Sequence, residues 1–345
     1  MKRLPVVAAL FMLLPVSSAV EPLGERARLA KSAPRAQPAL APQAPPFALD
    51  ASKIPPPAVG FKEERLRPTS ERPKNPNDVG AFRTNCDYSH MAFDDPIIYP
   101  GQSGKSHLHV FFGNTGIDAH STNKSINESG NSTCRGGIVN RSGYWVPAMI
   151  DTRTGAPVKP KTANFYYKTG YSGVTPESVK FLPEGLRMIA GDAKNARAGG
   201  AFRYKCASDF ERNGYAIRDA NCAVGDEFLQ EIFFPQCWDG KNLDSPDHKS
   251  HMAYPVNGRG CPRSHPVPLP EITFNIVYAV AEPNQPTFWR LSSDLYDLRQ
   301  PGGYSAHGDW WNGWKKEVME AFVKGCDNTS SDCHSHLLGD GRMMY

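Results

Sequence analysis

The sequence predicts a mainly β fold, with a β-sandwich or jelly-roll-like core, long disulfide-tied loops and few short helices. Its apolar runs are short and rich in β-branched and aromatic residues, as in residues 272–280, which favours strands over helices. Glycine (30 residues) and proline (31 residues) are spread throughout and interrupt regular elements. Eight cysteines indicate that covalent bonds hold the loops. These features are typical of sandwiches and jelly rolls.

Residues 1–19 have the three parts of a secretory signal peptide. Lys2 and Arg3 are positive, residues 4–14 are apolar, and Ser17 and Ala19 are the small residues that a signal peptidase requires. The apolar run is shorter than the roughly 20 residues that span a bilayer. We therefore predict cleavage after Ala19, no transmembrane segment, and a secreted or periplasmic location.

The next segment, residues 20–79, is dense in proline and alanine and poor in core-forming side chains. Such a segment buries too little apolar surface to offset its ordering entropy, so we predict a disordered linker. Residues 80–345 then form a single domain. Within it we predict a strand at 165–168 and helices over 314–325 and 183–190.

The cysteines all lie inside the predicted domain, and their number is even. No C-x-x-C pair is present, so disulfides are favoured over a zinc ribbon. The spacing does not determine the pairing, and the short loops favour Cys326–Cys333, Cys206–Cys222, Cys237–Cys261 and Cys86–Cys134.

The charge balance argues against nucleic acid as a partner. The chain has 39 basic and 35 acidic residues, for a net charge of +4, and the basic residues form no block.

Histidines in four segments are the main candidates for chemistry. In residues 91–114, His107 and His109 are separated by one residue, so on a strand both rings point to one face. Such a pair can ligate a metal or act as an acid/base pair. Two histidines on a polar sheet face are the alternative. Asp95 and Lys105 of the same segment are candidate substrate contacts.

The segment from 237 to 255 combines acids, bases and aromatic residues in one loop. Its carboxylates and imidazoles could bind a metal, or a carboxylate could orient an imidazole as general base. A solvated connecting loop is the alternative. From this segment we predict catalytic roles for Asp244, Asp247, His248 and His251, and substrate contacts for Trp238, Lys241 and Tyr254.

Two later segments add further candidates. His265 lies between prolines that fix its backbone. His307 and Asp309 are followed by Trp310 and Trp311. We predict catalytic roles for the histidine and the carboxylate, and we expect the two tryptophans and His265 to contact substrate.

The same motifs resemble the family catalogued as domain of unknown function 1996. The resemblance runs from about residue 82 to residue 333 and rests on Asp-Pro-Ile-Ile-Tyr-Pro-Gly (95–101), Ser-His-Leu-His (106–109), Gly-Leu-Arg-Met-Ile-Ala-Gly (185–191), Cys-Trp-Asp-Gly-Lys-Asn-Leu-Asp-Ser-Pro-Asp-His-Lys-Ser-His (237–251) and His-Gly-Asp-Trp-Trp-Asn-Gly-Trp (307–314). It implies an extracytoplasmic setting and suggests a glycan-related role. It assigns no catalytic residue.

We predict an enzyme that cleaves glycosidic bonds in an extracellular or cell-wall polysaccharide by Asp/His acid–base chemistry. Paired carboxyls would serve a hydrolase, whereas His or Tyr would serve a polysaccharide lyase. Non-catalytic glycan or wall binding and metal binding remain alternatives. No cofactor is certain, and a divalent metal would use His107, His109, His248 and His251, with His307 as a further candidate ligand.

Overall fold

The computed structural model describes residues 44–74 and 79–345. The protein is mainly β, which confirms the predicted fold class. The described strands are β1 (Leu66–Pro68), β2 (Ala81–Cys86), β3 (Tyr88–Ala92), β4 (His109–Gly113), β5 (Gly143–Pro147), β6 (Met149–Asp151), β7 (Ala156–Pro157), β8 (Thr162–Lys168), β9 (Arg187–Gly191), β10 (Phe202–Cys206), β11 (Asp209–Gly214), β12 (Glu227–Phe233), β13 (Cys237–Trp238), β14 (Met252–Ala253), β15 (Val267–Pro268), β16 (Glu271–Ala279), β17 (Trp289–Leu291), β18 (His307–Trp311) and β19 (Arg342–Met344).

Helices are few and short. The described ones are α1 (Asn123–Glu128), α2 (Lys316–Phe322), the 3₁₀ turns Ala51–Lys53, Pro176–Ser178, Ile217–Asp219 and Gln285–Phe288, and a π-helical turn, Val323–Asp327. In the part of the chain that the structure covers, no helix has both the length and the apolar character needed to cross a bilayer.

Two antiparallel sheets form the sandwich. The larger has the strand order β11-β10-β12-β16-β8-β2, and the other has the order β3-β4-β5-β18-β9. Three smaller sheets, β1-β19, β14-β13-β15 and β17-β6-β7, surround them.

The core between the two sheets is aromatic. Phe165 on β8 stacks on Tyr144 of β5, with ring centroids 3.9 Å apart, and meets Phe274 of β16 edge-on at 4.6 Å. All three side chains are fully buried. Because strand side chains alternate, the residues between these point away from the core. The five-stranded sheet thus has an outer face of its own.

That outer face is also covered, by loops and by a second apolar cluster. The cluster consists of Ile97, Phe111, Ile117, Ile126, Trp145, Ile189 and Trp311. A sheet with both faces buried excludes water from any polar group between its strands and the covering loops. His109, His307 and Asp309 occupy this face.

Gly308 explains why β18 presents its polar residues outward. A Cβ atom at this position would lie 3.2 Å from Phe274 and 3.3 Å from Ile232 and Phe234 of the opposite sheet. Any larger residue would force these side chains to shift by a few tenths of an ångström, so glycine favours this close approach of the two sheets. His307 and Asp309, its neighbours on the strand, therefore point to the outer face.

We expect Gly308→Ala to destabilise the fold by about 1–3 kcal/mol through overpacking between the sheets. Gly116→Ala is the matched control, since a Cβ there would make contacts of 3.4 Å or longer. Urea unfolding of both variants checks this. Equal stability of the two variants would mean that the sheets can separate without cost.

The two helix predictions had different outcomes. The helix predicted over 314–325 is present as α2 and continues into the π-helical turn. The helix predicted over 183–190 is wrong, because residues 187–191 form β9. Gly185 and Gly191, with φ of 76° and 79°, bracket the segment, and β9 pairs with β18 along its whole length.

The predicted linker is corrected for residues 44–74. Phe47, Leu49 and Ile54 pack against the core, and β1 pairs with β19 near the end of the chain. These side chains bury enough apolar surface to order a proline-rich segment. The predicted signal peptide and the start of the linker, residues 1–43, lie outside the described residues, as do residues 75–78.

All four predicted disulfides are confirmed: Cys86–Cys134, Cys206–Cys222, Cys237–Cys261 and Cys326–Cys333. The Cys237–Cys261 bond ties the loop that carries most of the predicted acids and bases. Four disulfides fit a protein that folds in an oxidising, extracytoplasmic compartment.

Candidate metal centre and cleft

Three histidines from distant parts of the chain meet on the outer face of the five-stranded sheet. His109 begins β4 and His307 begins β18, the two strands that flank β5. His107 lies two residues before the start of β4, and its ring centroid lies 4.3 Å from that of His109. The pairing of β4 and β18 with β5 therefore places all three rings together.

The three imidazoles converge through their Nε2 atoms. The Nε2 of His307 lies 3.2 Å from the Nε2 of His107 and 3.4 Å from the Nε2 of His109. Metal–nitrogen bonds of about 2.0–2.1 Å in a tetrahedral site put neighbouring ligand nitrogens about 3.3 Å apart. The observed spacing is therefore that of ligands around one ion.

Backbone carbonyls fix the tautomers of two of these rings. The Nδ1 of His109 lies 2.9 Å from the carbonyl oxygen of Asp94, and the Nδ1 of His307 lies 2.8 Å from that of Ser305. A carbonyl oxygen only accepts, so each Nδ1 carries the proton and donates it. In a neutral ring the Nε2 then carries no proton and presents a lone pair. Metal-ligating histidines are oriented in the same way.

Burial keeps the rings neutral. Loss of hydration is the main cause that lowers the pKa of His109 to about 4; loss of hydration, together with the neighbouring His109 imidazole, lowers the pKa of His307 to about 3. The pKa of His107 lies well below its usual value for the same reasons. Two neutral acceptor nitrogens, on His109 and His307, thus face each other and cannot hydrogen-bond.

Two carboxyl groups lie beside the histidines. Candidate ligand atoms of Asp95, His109 and Asp309 are all within 4.8 Å of one another. Burial raises the pKa of both carboxyls, and the field of Asp95 raises that of Asp309 further. Asp95 accepts from the backbone N–H groups of Ile97 and Ile98, each at 3.0 Å. The Oδ2 of Asp309 has no partner among the described residues.

The cluster forms the floor of a cleft of about 400 Å³. His107, His307, Asp95 and Asp309 reach its surface, whereas His109 lies behind them. Other lining residues are Ile98, Tyr99, Lys105, Ser106, Ile189, Asp192, Ala193, Lys194, Asp247, Lys249 and Leu295. An ion on the three histidines would therefore have a position open to a ligand.

A family model described as Domain of unknown function (DUF1996) matches residues 95–314, more than half of the chain. The chain belongs to this family. The predicted resemblance is thereby confirmed. No curated protein and no solved structure matches the chain. Every residue of the histidine–carboxylate cluster falls within the matched segment.

Next to the cleft of this DUF1996 domain, the predicted residues of the disulfide-tied loop form their own network. The Nδ1 of His248 lies 2.9 Å from Asp244, which also pairs with Arg187 at 3.0 Å. The Arg187 guanidinium lies 4.0 Å from the Trp311 ring centroid. His248 adopts a left-handed backbone with φ of 57°, a strained conformation for a non-glycine residue. The network anchors the loop on the outer face.

Hydrogen bonds also hold the other two predicted catalytic residues of the loop, His251 and Asp247. Both ring nitrogens of His251 are occupied, by Ser245 at 2.9 Å and by the Arg187 carbonyl at 2.7 Å. Asp247 accepts from the backbone N–H of Ser250 at 2.9 Å, although it also lines the cleft. The geometry therefore groups His307, rather than His248 or His251, with His107 and His109.

Several predicted substrate contacts do not line the cleft. Trp310 and Trp311 are 0% and 1% exposed, because one packs in the sandwich core and the other under Arg187, so neither can stack on a sugar. The remaining four make local contacts or lie at the surface: Trp238, Lys241, Tyr254 and His265. Asp95 and Lys105, by contrast, do line it.

Sequence reasoning missed Tyr99, Lys194 and Arg187. Tyr99 and Arg187 stand inside the motifs that carry the family resemblance, which was the available signal. Lys194 follows β9, a segment predicted as helix, so its place at the cleft could not be foreseen.

Proposed function

We propose that the cleft holds one divalent transition-metal ion on His107, His109 and His307. The ion would serve non-redox catalysis on an extracellular ligand. The observation that carries this proposal is the 3.4 Å approach of two Nε2 atoms that both lack a proton. A cation between them removes the lone-pair repulsion. Neutral imidazoles suit zinc, copper, iron and nickel.

Asp309 would supply the proton chemistry. A bound metal ion lowers the pKa of a coordinated water and so provides a nucleophile near neutral pH. The Asp309 carboxyl lines the cleft, is buried, and has one oxygen without a partner among the described residues. It can therefore donate a proton to a group bound beside the histidines and take it back.

Metal titration tests the proposal. Purified protein, stripped with a chelator and dialysed, is titrated with Zn²⁺ by calorimetry, and its metal content is measured before stripping. We expect one ion per chain. Substitution of Co²⁺ should give the visible absorption of a tetrahedral nitrogen-ligated site. A chain that binds neither Zn²⁺ nor Co²⁺ contradicts the proposal.

Cleavage of a polysaccharide by the carboxyl pair alone is a second candidate. The observation that favours it is the proximity of Asp95 and Asp309 in one cleft. Retaining glycosidases use two carboxyl groups about 5–5.5 Å apart, one of them protonated. The raised pKa of each group supports a shared proton.

Activity with and without metal separates the two candidates. Polysaccharides are screened for new reducing ends, which report hydrolysis, and for absorbance of unsaturated uronates, which reports a lyase. Chelation should abolish a metal-dependent reaction and spare one that uses carboxyls alone. Asp309→Asn should abolish both. Binding without either product would identify a non-catalytic glycan-binding protein.

A further inference from the structure

Three lysines from three separate segments surround the cleft. Lys105 belongs to the loop before β4, Lys194 follows β9, and Lys249 belongs to the Cys237–Cys261 loop. Within the described residues, no carboxylate lies within 4.0 Å of any of their ammonium groups.

Three of the four carboxyl groups that line the cleft are engaged by backbone N–H groups rather than by these lysines. Asp95 accepts from the backbone N–H groups of Ile97 and Ile98. Asp247 is charged, but its Oδ1 is occupied by the backbone N–H groups of Lys249 and Ser250.

The position of Asp192 and the position of Lys249 also favour a positively charged cleft. Asp192 caps the backbone N–H of Lys194 at 2.9 Å and lies at the exposed edge. Lys249 donates to the Gly191 carbonyl at 2.8 Å, which holds its ammonium at the end of β9, and Gly191 pairs directly with His307 in the sheet. The positive groups therefore extend from the rim to the floor.

From this convergence of lysines on an open metal position we propose that the cleft selects a ligand bearing an oxyanion, and that its polysaccharide ligand is acidic rather than neutral. The inference rests on the proposed function. A carboxylate can ligate a metal ion with one oxygen and pair with an ammonium through the other. Sulfate and phosphate share this chemistry, so the source of the oxyanion is a matter for experiment.

Binding to matched glycans tests the inference without any assay of activity. The zinc-loaded protein is titrated with polygalacturonate, with its fully methyl-esterified form, with a sulfated galactan and with inorganic phosphate. We expect at least one oxyanion ligand to bind, and polygalacturonate to bind about tenfold or more tightly than its ester. Added salt should weaken this binding, because the lysines are partly exposed.

The double variant Lys105→Gln/Lys249→Gln should lose about tenfold or more in affinity for the same oxyanion ligand. Lys180→Gln, an exposed lysine outside the cleft, is the matched control and should bind as the native chain does. Zinc affinity of the double variant should not weaken, since removing positive charge favours a cation. Equal binding of ester and acid, no binding of any oxyanion, or an unchanged double variant overturns the inference. Failure of the native chain to bind zinc would instead overturn the proposed function.

Discussion

Replacement of His307 by alanine is expected to weaken Zn²⁺ binding by about 100-fold or more, since even the loss of an outer-shell partner of a metal ligand costs 10–100-fold. His307 is the ring that approaches both others, at 3.2 and 3.4 Å. Its removal leaves two imidazoles that cannot enclose an ion. Calorimetric titration of the variant with Zn²⁺ measures the loss.

His251→Ala provides the matched control for this prediction. His251 is also buried and hydrogen-bonded, but its partners are Ser245 of the disulfide-tied loop and the Arg187 carbonyl of β9, not the other histidines. We expect it to cost about 1–3 kcal/mol of stability while leaving zinc affinity unchanged. A His251 variant that loses zinc binding as strongly as the His307 variant would show that the two clusters act as one, contrary to the proposed centre.

Phe165→Ala is expected to destabilise the fold by about 3–5 kcal/mol, the range for deletion of a buried aromatic side chain. Phe165 lies between Tyr144 of one sheet and Phe274 of its own, at centroid distances of 3.9 and 4.6 Å. Its removal leaves a cavity at the centre of the sandwich. The free energy of unfolding in urea, with the disulfides intact, measures the effect.

Tyr166→Ala, the next residue on the same strand, is the comparison. Its side chain is half-buried on the opposite face of β8, near Arg83. We expect a cost of about 1 kcal/mol or less. If the two variants are destabilised equally, the sheets are not held together through this aromatic cluster.

Much of the fold could be predicted because local patterns decide it. The run from 272 to 280 becomes β16, since its alternating apolar residues match one face of a strand. The disulfides follow from short loops between neighbouring cysteines. The helix predicted over 183–190 failed because pairing with β18 outweighs the local preference of Leu186 and Met188.

The site was predictable only in its parts. His107 and His109 are adjacent in sequence, so their pairing was visible. His307 joins them only because β4 and β18 both pair with β5 in the sheet. That strand order cannot be derived from residue spacing. His248 and His251 offered the same side chains, yet Asp244 and the Arg187 carbonyl already hydrogen-bond to them. The hydrogen-bond partners of the ring nitrogens, not the residue type, distinguish the two sets.

The most direct test of the metal centre is the position of the ion itself. Crystals of the zinc-loaded protein, measured on both sides of the zinc absorption edge, give an anomalous difference map. We expect a single strong peak about 2.0–2.1 Å from the Nε2 atoms of His107, His109 and His307. A map without a peak among these three nitrogens, or with zinc only at surface carboxylates, would contradict the proposed centre.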